Sequence, residues 1–198
     1  DTAFNKGESM QGIDRESILN AMDMSGTSAS QSLYGDGLAI GPQTQAANYA
    51  LLRSLRPNAP VLNTNDAFEL PANVTGNEAY GWVWSMMWEG VMAGLNASAM
   101  QFGAPGVGND GILARPELID AYATTNLDVN RLAPIITALQ QAPAPVRILW
   151  SPSSKMFNRG DPYVDSAMRA YEGCANLGPR TLFMSERECE RNGLTGVD

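Results

Sequence analysis

The sequence predicts an α/β protein with parallel strands, on three observations. Short apolar runs alternate with longer stretches of helical periodicity up to residue 141. Two of those runs turn polar at their carboxyl ends, PVLNTND at Pro60–Asp66 and AMQFG at Ala99–Gly103. After Ala142-Pro143-Ala144-Pro145, a stiff proline-type linker, strand–helix–strand begins again. In α/β folds the loops past strand carboxyl ends are where sites are built.

Residues 1–13 are polar and carry no periodicity. Ser17–Met24 (SILNAMDM) fits either a strand or a helix, and the Ser25-Gly26-Thr27-Ser28 break behind it favours a strand. Ser25–Gly41 then reads as a long Ser/Gly-rich loop holding Tyr34 and Asp36, either a binding loop or a connector. Pro42–Leu55 is a helix, with proline suited to its first turn and Ala46, Ala47, Tyr49, Ala50 and Leu51 as an apolar stripe.

Val61–Thr64 is a buried strand that delivers Asn63, Asn65 and Asp66 at its end, and Glu69 stands beside Pro71 in the loop beyond. A long apolar helix follows from Asn77, a plausible N-cap, to about Leu95, with Gly94 placed to end it. Trp82, Trp84 and Trp88 at helical spacing read as packing, and Glu89 as a partner for an arginine such as Arg53. Ala97–Phe102 is the third strand, and Gly103–Gly111 its glycine-rich loop. Pro116 to about Gln141 is helical, kinked or restarted at Pro134. Beyond the linker, Val146–Trp150 and Arg180–Met184 are strands around a polar loop, Ser151–Gly160, and a helix, Tyr163–Leu177. Ser185–Asn192 starts as a capped short helix.

Composition removes several classes of function. The chain has 198 residues and a formal net charge of −8, with lysine only at Lys6 and Lys155. A basic face for nucleic acid or an anionic membrane is therefore not expected. No apolar run reaches the roughly 20 residues of a membrane span. Histidine is absent, so acid–base chemistry within the chain falls to carboxylates, tyrosine, lysine or cysteine. Cys174 and Cys189 are too few for a zinc site and read as partly buried thiols or a disulfide. The glycine-rich loop lacks both the GxGxxG spacing and a Walker lysine, so no cofactor is expected. No secretory leader stands at the start of the sequence, and a secreted or periplasmic location stays open.

The strand-end residues Asn63, Asn65, Asp66, Gln101, Asn109 and Asp110 are planar amides and carboxylates of the kind a sugar site uses, with Phe102 as an aromatic platform. Turn chemistry is the competing explanation for Asn and Asp in such places.

The order PVLNTND, WSMMWEGVMAGLNAS, AMQFGAPG, PVRILWSPSS and GPRTLFMSE, over roughly residues 14–192, resembles clan-A glycoside hydrolases. The nearest are family 42 β-galactosidases and agarase-like enzymes. The resemblance implies the second half of a (β/α)8 barrel over 1–141, a linker at 142–145, and over 146–198 the start of a flavodoxin-like domain. It implies a carbohydrate substrate and a retaining mechanism with two carboxylic acids about 5 Å apart. The family's acid/base glutamate would precede Asp1. Its nucleophile position falls on Asn65, which cannot form the glycosyl ester, so Asp66 and Glu69 are the candidate catalytic carboxylates. Asn63, Asn65, Gln101, Phe102 and Asp110 are the candidate substrate contacts. A half barrel exposes sheet edges that invite pairing, so an oligomer or a longer polypeptide is expected.

Overall fold

The computed structural model describes residues 15–27, 30–32, 42–100, 112–157, 161–177 and 180–193. The first unit is a parallel sheet centred on β3 (Val61–Glu69), with β4 (Ala97–Met100) along one edge. The other edge carries β1 (Ser25–Thr27) and β2 (Ser30–Ser32), which pair with successive parts of β3. Helices α2 (Pro42–Leu55), α3 (Gly76–Ala93) and α4 (Pro116–Gln141) follow the strands in turn. The second unit is a two-stranded parallel sheet, β5 (Val146–Trp150) and β6 (Thr181–Ser185). Between those strands run α5 (Pro152–Phe157) and α6 (Asp161–Asn176). Helix α1 (Arg15–Asn20) precedes the first sheet and α7 (Glu186–Arg191) follows the second.

The cores meet on α2. Ala46, Ala47, Ala50 and Leu51 pack against Trp150, Ala167, Met168, Tyr171 and Phe183 of the second unit. Tyr49 and Leu52, on the adjoining side of the same helix, pack against Leu19, Val61 and Leu95 of the first. A third cluster, built from Leu70, Val83, Met87, Leu118 and Ala121, joins the end of β3 to α3 and α4.

Several expectations are corrected. Residues 15–20 form a helix rather than part of a strand, and the strand begins only at Ser25. Leu19 then enters the core as one face of that helix. The Ser25–Gly41 loop reading fails at Ser25–Thr27 and Ser30–Ser32, where the edge of β3 supplies the hydrogen-bonding partners. Residues 33–41, including Tyr34 and Asp36, lie outside the described residues.

β3 runs five residues past Thr64, because β2 and β4 both continue alongside it, so Asp66 and Glu69 belong to the strand and not to a loop. α3 takes Thr75 as its N-cap, and Gly76, at φ +57°, absorbs the turn ahead of Asn77. At its other end Gly94 adopts φ +119° and the Leu95 N–H returns to the Gly90 carbonyl, the expected glycine stop.

α4 is one helix through Pro134. The carbonyl that proline leaves without its helical donor belongs to Asn130, and both residues lie on the exposed side of the helix. The side facing α3 is Leu118, Ala121, Thr125, Ile136 and Gln140, while Leu127, Ile135 and Leu139 are exposed. The Ser151–Gly160 loop contains α5. Ser185 caps α7 through its hydroxyl, which accepts from the Glu188 N–H at 3.2 Å, as the sequence suggests.

Leu51 is fully buried in the cluster that α2 shares with the second sheet. Leu51→Ala is expected to cost about 2–5 kcal/mol, and calorimetry should show a single transition moving to lower temperature. Two transitions, with only one displaced, would show that α2 does not couple the units.

Candidate active site

The carboxyl half of β3 is the expected site, and its geometry follows from a bulge. Val61 packs on Tyr49 and Leu52, and Asn63 bonds Tyr49, so both face the helices. Further along, Leu70, and Phe68 against it, join the helix-side cluster of Val83, Met87 and Leu118. Helix-facing positions thus change from odd to even along one strand, which requires one extra residue. The pairing agrees: Asn63 to Asp66 on β3 spans only Ser98 to Met100 on β4. Thr27 to Ser30 likewise spans Asn63 to Ala67. With the phase reversed, backbone position 69 falls on the sheet face away from the helices. The side chains of Asn65, Asp66 and Glu69 lie outside the described residues, as do Gln101, Phe102, Asn109 and Asp110 altogether.

Asn63 has a structural role. It is fully buried and its Nδ2 donates to the Tyr49 hydroxyl at 3.0 Å. The same hydroxyl accepts from Gln45 Nε2 at 2.6 Å. Beside it on the sheet, Ser25 and Thr27 are also buried, and the Thr64 hydroxyl donates to the Thr27 carbonyl at 3.1 Å. This polar cluster pins β3 to α2 directly below the bulge. Gln45 Oε1 and Ser25 Oγ have no partner within it.

Past the site, Arg115 holds the chain. Its guanidinium donates to the Leu70 carbonyl at 3.2 Å, bonds the Val74 carbonyl, and pairs with Glu117 at 3.5 Å. Leu70 and Val74 are themselves buried, so the segment after Glu69 is fixed from both sides. At the opposite end of β3, Asn96 accepts from the Val61 N–H at 2.9 Å and donates to Gln140 at 3.2 Å. Gln140 in turn donates to the Val91 carbonyl at 2.7 Å. Asn96 is therefore part of a structural network. Arg115, Tyr49 and Gln140 carry no motif in the sequence. The signal that could have found them is their type, a long polar side chain inside an apolar helical stripe or next to a helix start.

Trp82 packs edge-on to Phe68 with ring centroids 6.0 Å apart, and so supports the strand end. Trp84 is exposed and lies against Trp88 at 6.2 Å. Among the described residues Glu89 makes no ion pair with Arg53. It borders a 290 Å³ pocket with Tyr171, Glu172 and Arg180, late in α3 and so towards the amino ends of the strands. Burial pushes its carboxyl above the usual range. Burial, and then the Glu89 charge, push the Tyr171 hydroxyl up to about 12. Cys174 and Cys189 are free thiols, half-buried. Among the described residues no group of acidic, Cys or His side chains could hold a metal, and no helix is long and apolar enough to cross a membrane.

No protein-family model matches this chain, and no curated protein matches it. Among solved structures it is similar to the apo exo-carrageenase GH42 of Bacteroides ovatus, with a TM-score of 0.67 and 17% identity. The match covers 90% of this chain and 27% of that one, so the chain spans about a quarter of that protein's length. The fold is therefore that of a segment of a family 42 glycoside hydrolase structure. Its strands are parallel and its barrel is not closed within the described residues.

Two outcomes follow. Tyr49→Phe leaves the Asn63 and Gln45 amide donors without their shared acceptor and should cost about 1–3 kcal/mol by denaturant unfolding. Glu89 has a folded-state pKa above its unfolded value, so its charge is a burden that grows as pH rises through that window. Glu89→Gln should therefore raise the melting temperature at pH 7, and the gain should vanish as pH falls below the unfolded carboxylate range.

Proposed function

We propose that this chain is part of a carbohydrate-active barrel protein, a retaining glycoside hydrolase that acts on β-galactosides or related polysaccharides. The observation that carries the proposal is the bulged carboxyl end of β3, where Asn65, Asp66 and Glu69 follow one another at the mouth of a parallel sheet. Likeness in fold to the exo-carrageenase supports a saccharide as substrate and makes carrageenan a natural first candidate. Residues 1–141 then form the later part of the barrel and 146–198 the opening of a flavodoxin-like domain. Gln101, Phe102 and Asp110, which follow β4 in the sequence, are the proposed sugar contacts. Asn63 is left out of this role, since its amide is buried against Tyr49.

In this reading Glu69 is the nucleophile. Its strand position falls on the face away from the helices, the face a barrel turns inward. Its carboxylate attacks the anomeric carbon and forms an ester while the leaving-group oxygen takes a proton from a second carboxylic acid. Water activated by that second group then hydrolyses the ester. The resemblance to family 42 implies that the second acid belongs to an earlier barrel strand than β1–β4. Asp66 is assigned no step in this reading, because the reversed alternation gives it the phase of the core positions Phe68 and Leu70 rather than that of Glu69.

Asn65 motivates a second reading, a protein that holds carbohydrate without cleaving it, since an amide at the family's nucleophile position cannot form the ester. In the natural protein, Glu69→Gln should lower kcat on aryl β-galactosides by at least about a thousandfold, in the range reported for single catalytic-residue losses. Binding without turnover in the parent, unchanged by Glu69→Gln, establishes the second reading instead. No binding to any galactan removes both.

A further inference from the structure

A second concave surface lies at the far end of the fold, where α2 and α4 end and the second sheet begins. It is a cleft of about 1010 Å³. Its lining includes Arg53, Arg56, Arg147, Arg180, Arg187 and Arg191, against the carboxylates of Glu16, Glu188 and Glu190. In a chain of net charge −8 this is a local inversion of sign. The helix ends reduce it only partly, because the C-termini of α2 and α4 contribute roughly half a negative charge each.

The bonding leaves capacity for a ligand. Arg147 pairs with Glu188. Arg53 makes a single long contact, 3.5 Å, to the Ala59 carbonyl. Arg180 bonds the Gln140 carbonyl at 2.5 Å and the Ala142 carbonyl, both neutral acceptors. A guanidinium carries five N–H donors, so among the described residues Arg53 and Arg180 retain unused donors and no carboxylate partner. Burial and the neighbouring charges of Arg53 and Arg147 hold the Arg180 pKa below the usual arginine value. Three guanidinium charges thus converge there, and of the three only Arg147 has a carboxylate partner among the described residues. Arg53 is also held in place, since its aliphatic stem lies over Gly94, where a Cβ would come within 3.2 Å of it.

We propose that this cleft binds a tetrahedral oxyanion, a sulfate or phosphate group, between Arg53, Arg147 and Arg180. Forked guanidinium donors match two oxygens of such a group at once, which makes arginine the fitting residue for it. The site stands apart from the carboxyl end of β3 and needs no chemistry there. The anion comes either free or as an ester on a saccharide.

The test is titration calorimetry of the chain with sodium sulfate and sodium phosphate at constant ionic strength, with chloride as the control. The expected result is saturable binding of the divalent anions, weakened at least tenfold in Arg53→Gln and in Arg147→Gln. Arg131→Gln, an exposed arginine on α4 paired with Asp128, should leave binding unchanged. Circular dichroism should show both cleft variants folded. A sulfated galactan oligosaccharide binding more tightly than free sulfate, with the same arginine dependence, assigns the ester form. Equal affinity for free sulfate assigns the ion itself. Heats that follow ionic strength alone, or binding equal in all three variants, would overturn the proposal whatever happens at Glu69.

Discussion

The structure depends on the burial of α2 between two sheets. Its alanines at 46, 47 and 50 let the helix approach the second sheet closely, and Leu51 fills the space they leave. On the adjoining side Tyr49 and Leu52 meet β3 and the end of α3. Each fully buried large apolar side chain contributes about 1.5–3 kcal/mol, so this one helix joins the cores of both units. Tyr49 adds direction to that packing. Its hydroxyl takes hydrogen bonds from Gln45 and Asn63, and so sets the register of helix against strand where apolar contact alone would tolerate a slip.

From that anchor the site follows. With Val61 and Asn63 fixed toward the helices, the extra residue before Asp66 reverses the alternation, and Phe68 and Leu70 become the core positions. Arg115 then binds the Leu70 and Val74 carbonyls and prevents the strand end from fraying. The bulge is thus held between a buried amide cluster and an arginine clamp. The polar end of β3 and the arginine cleft lie at opposite ends of the layer, one past the strand carboxyl ends and one past the C-termini of α2 and α4.

Much of this was legible in the sequence. Pro42, Gly94 and Ser185 mark helix ends by mechanisms that act within a few residues, and all three behave as the sequence predicts. Features that depend on partners distant in the chain were not legible. The length of β3 is set by β2 and β4, so the run of apolar residues understated it. The bulge leaves no local mark, and plain alternation from Val61 would have put Asn65, not Phe68, with the helices. Helix α1 was read as a strand because its short apolar pattern fits either period and only the core settles which. Which face of α4 is buried was not legible either: Leu127, Ile135 and Leu139 are exposed, while Thr125, Ile136 and Gln140 are buried. The arginine cleft gathers residues from four separate segments, which no window of sequence could display.

The most direct test of the central claim is backbone amide NMR of the folded chain during titration with galactan oligosaccharides. The account predicts that the largest shifts fall on residues 63–70 and on the end of β4, with the amides of α5 and α6 unmoved. Shifts confined to the second unit, or none at saturating saccharide, would contradict the placement of the carbohydrate site at the bulged end of β3.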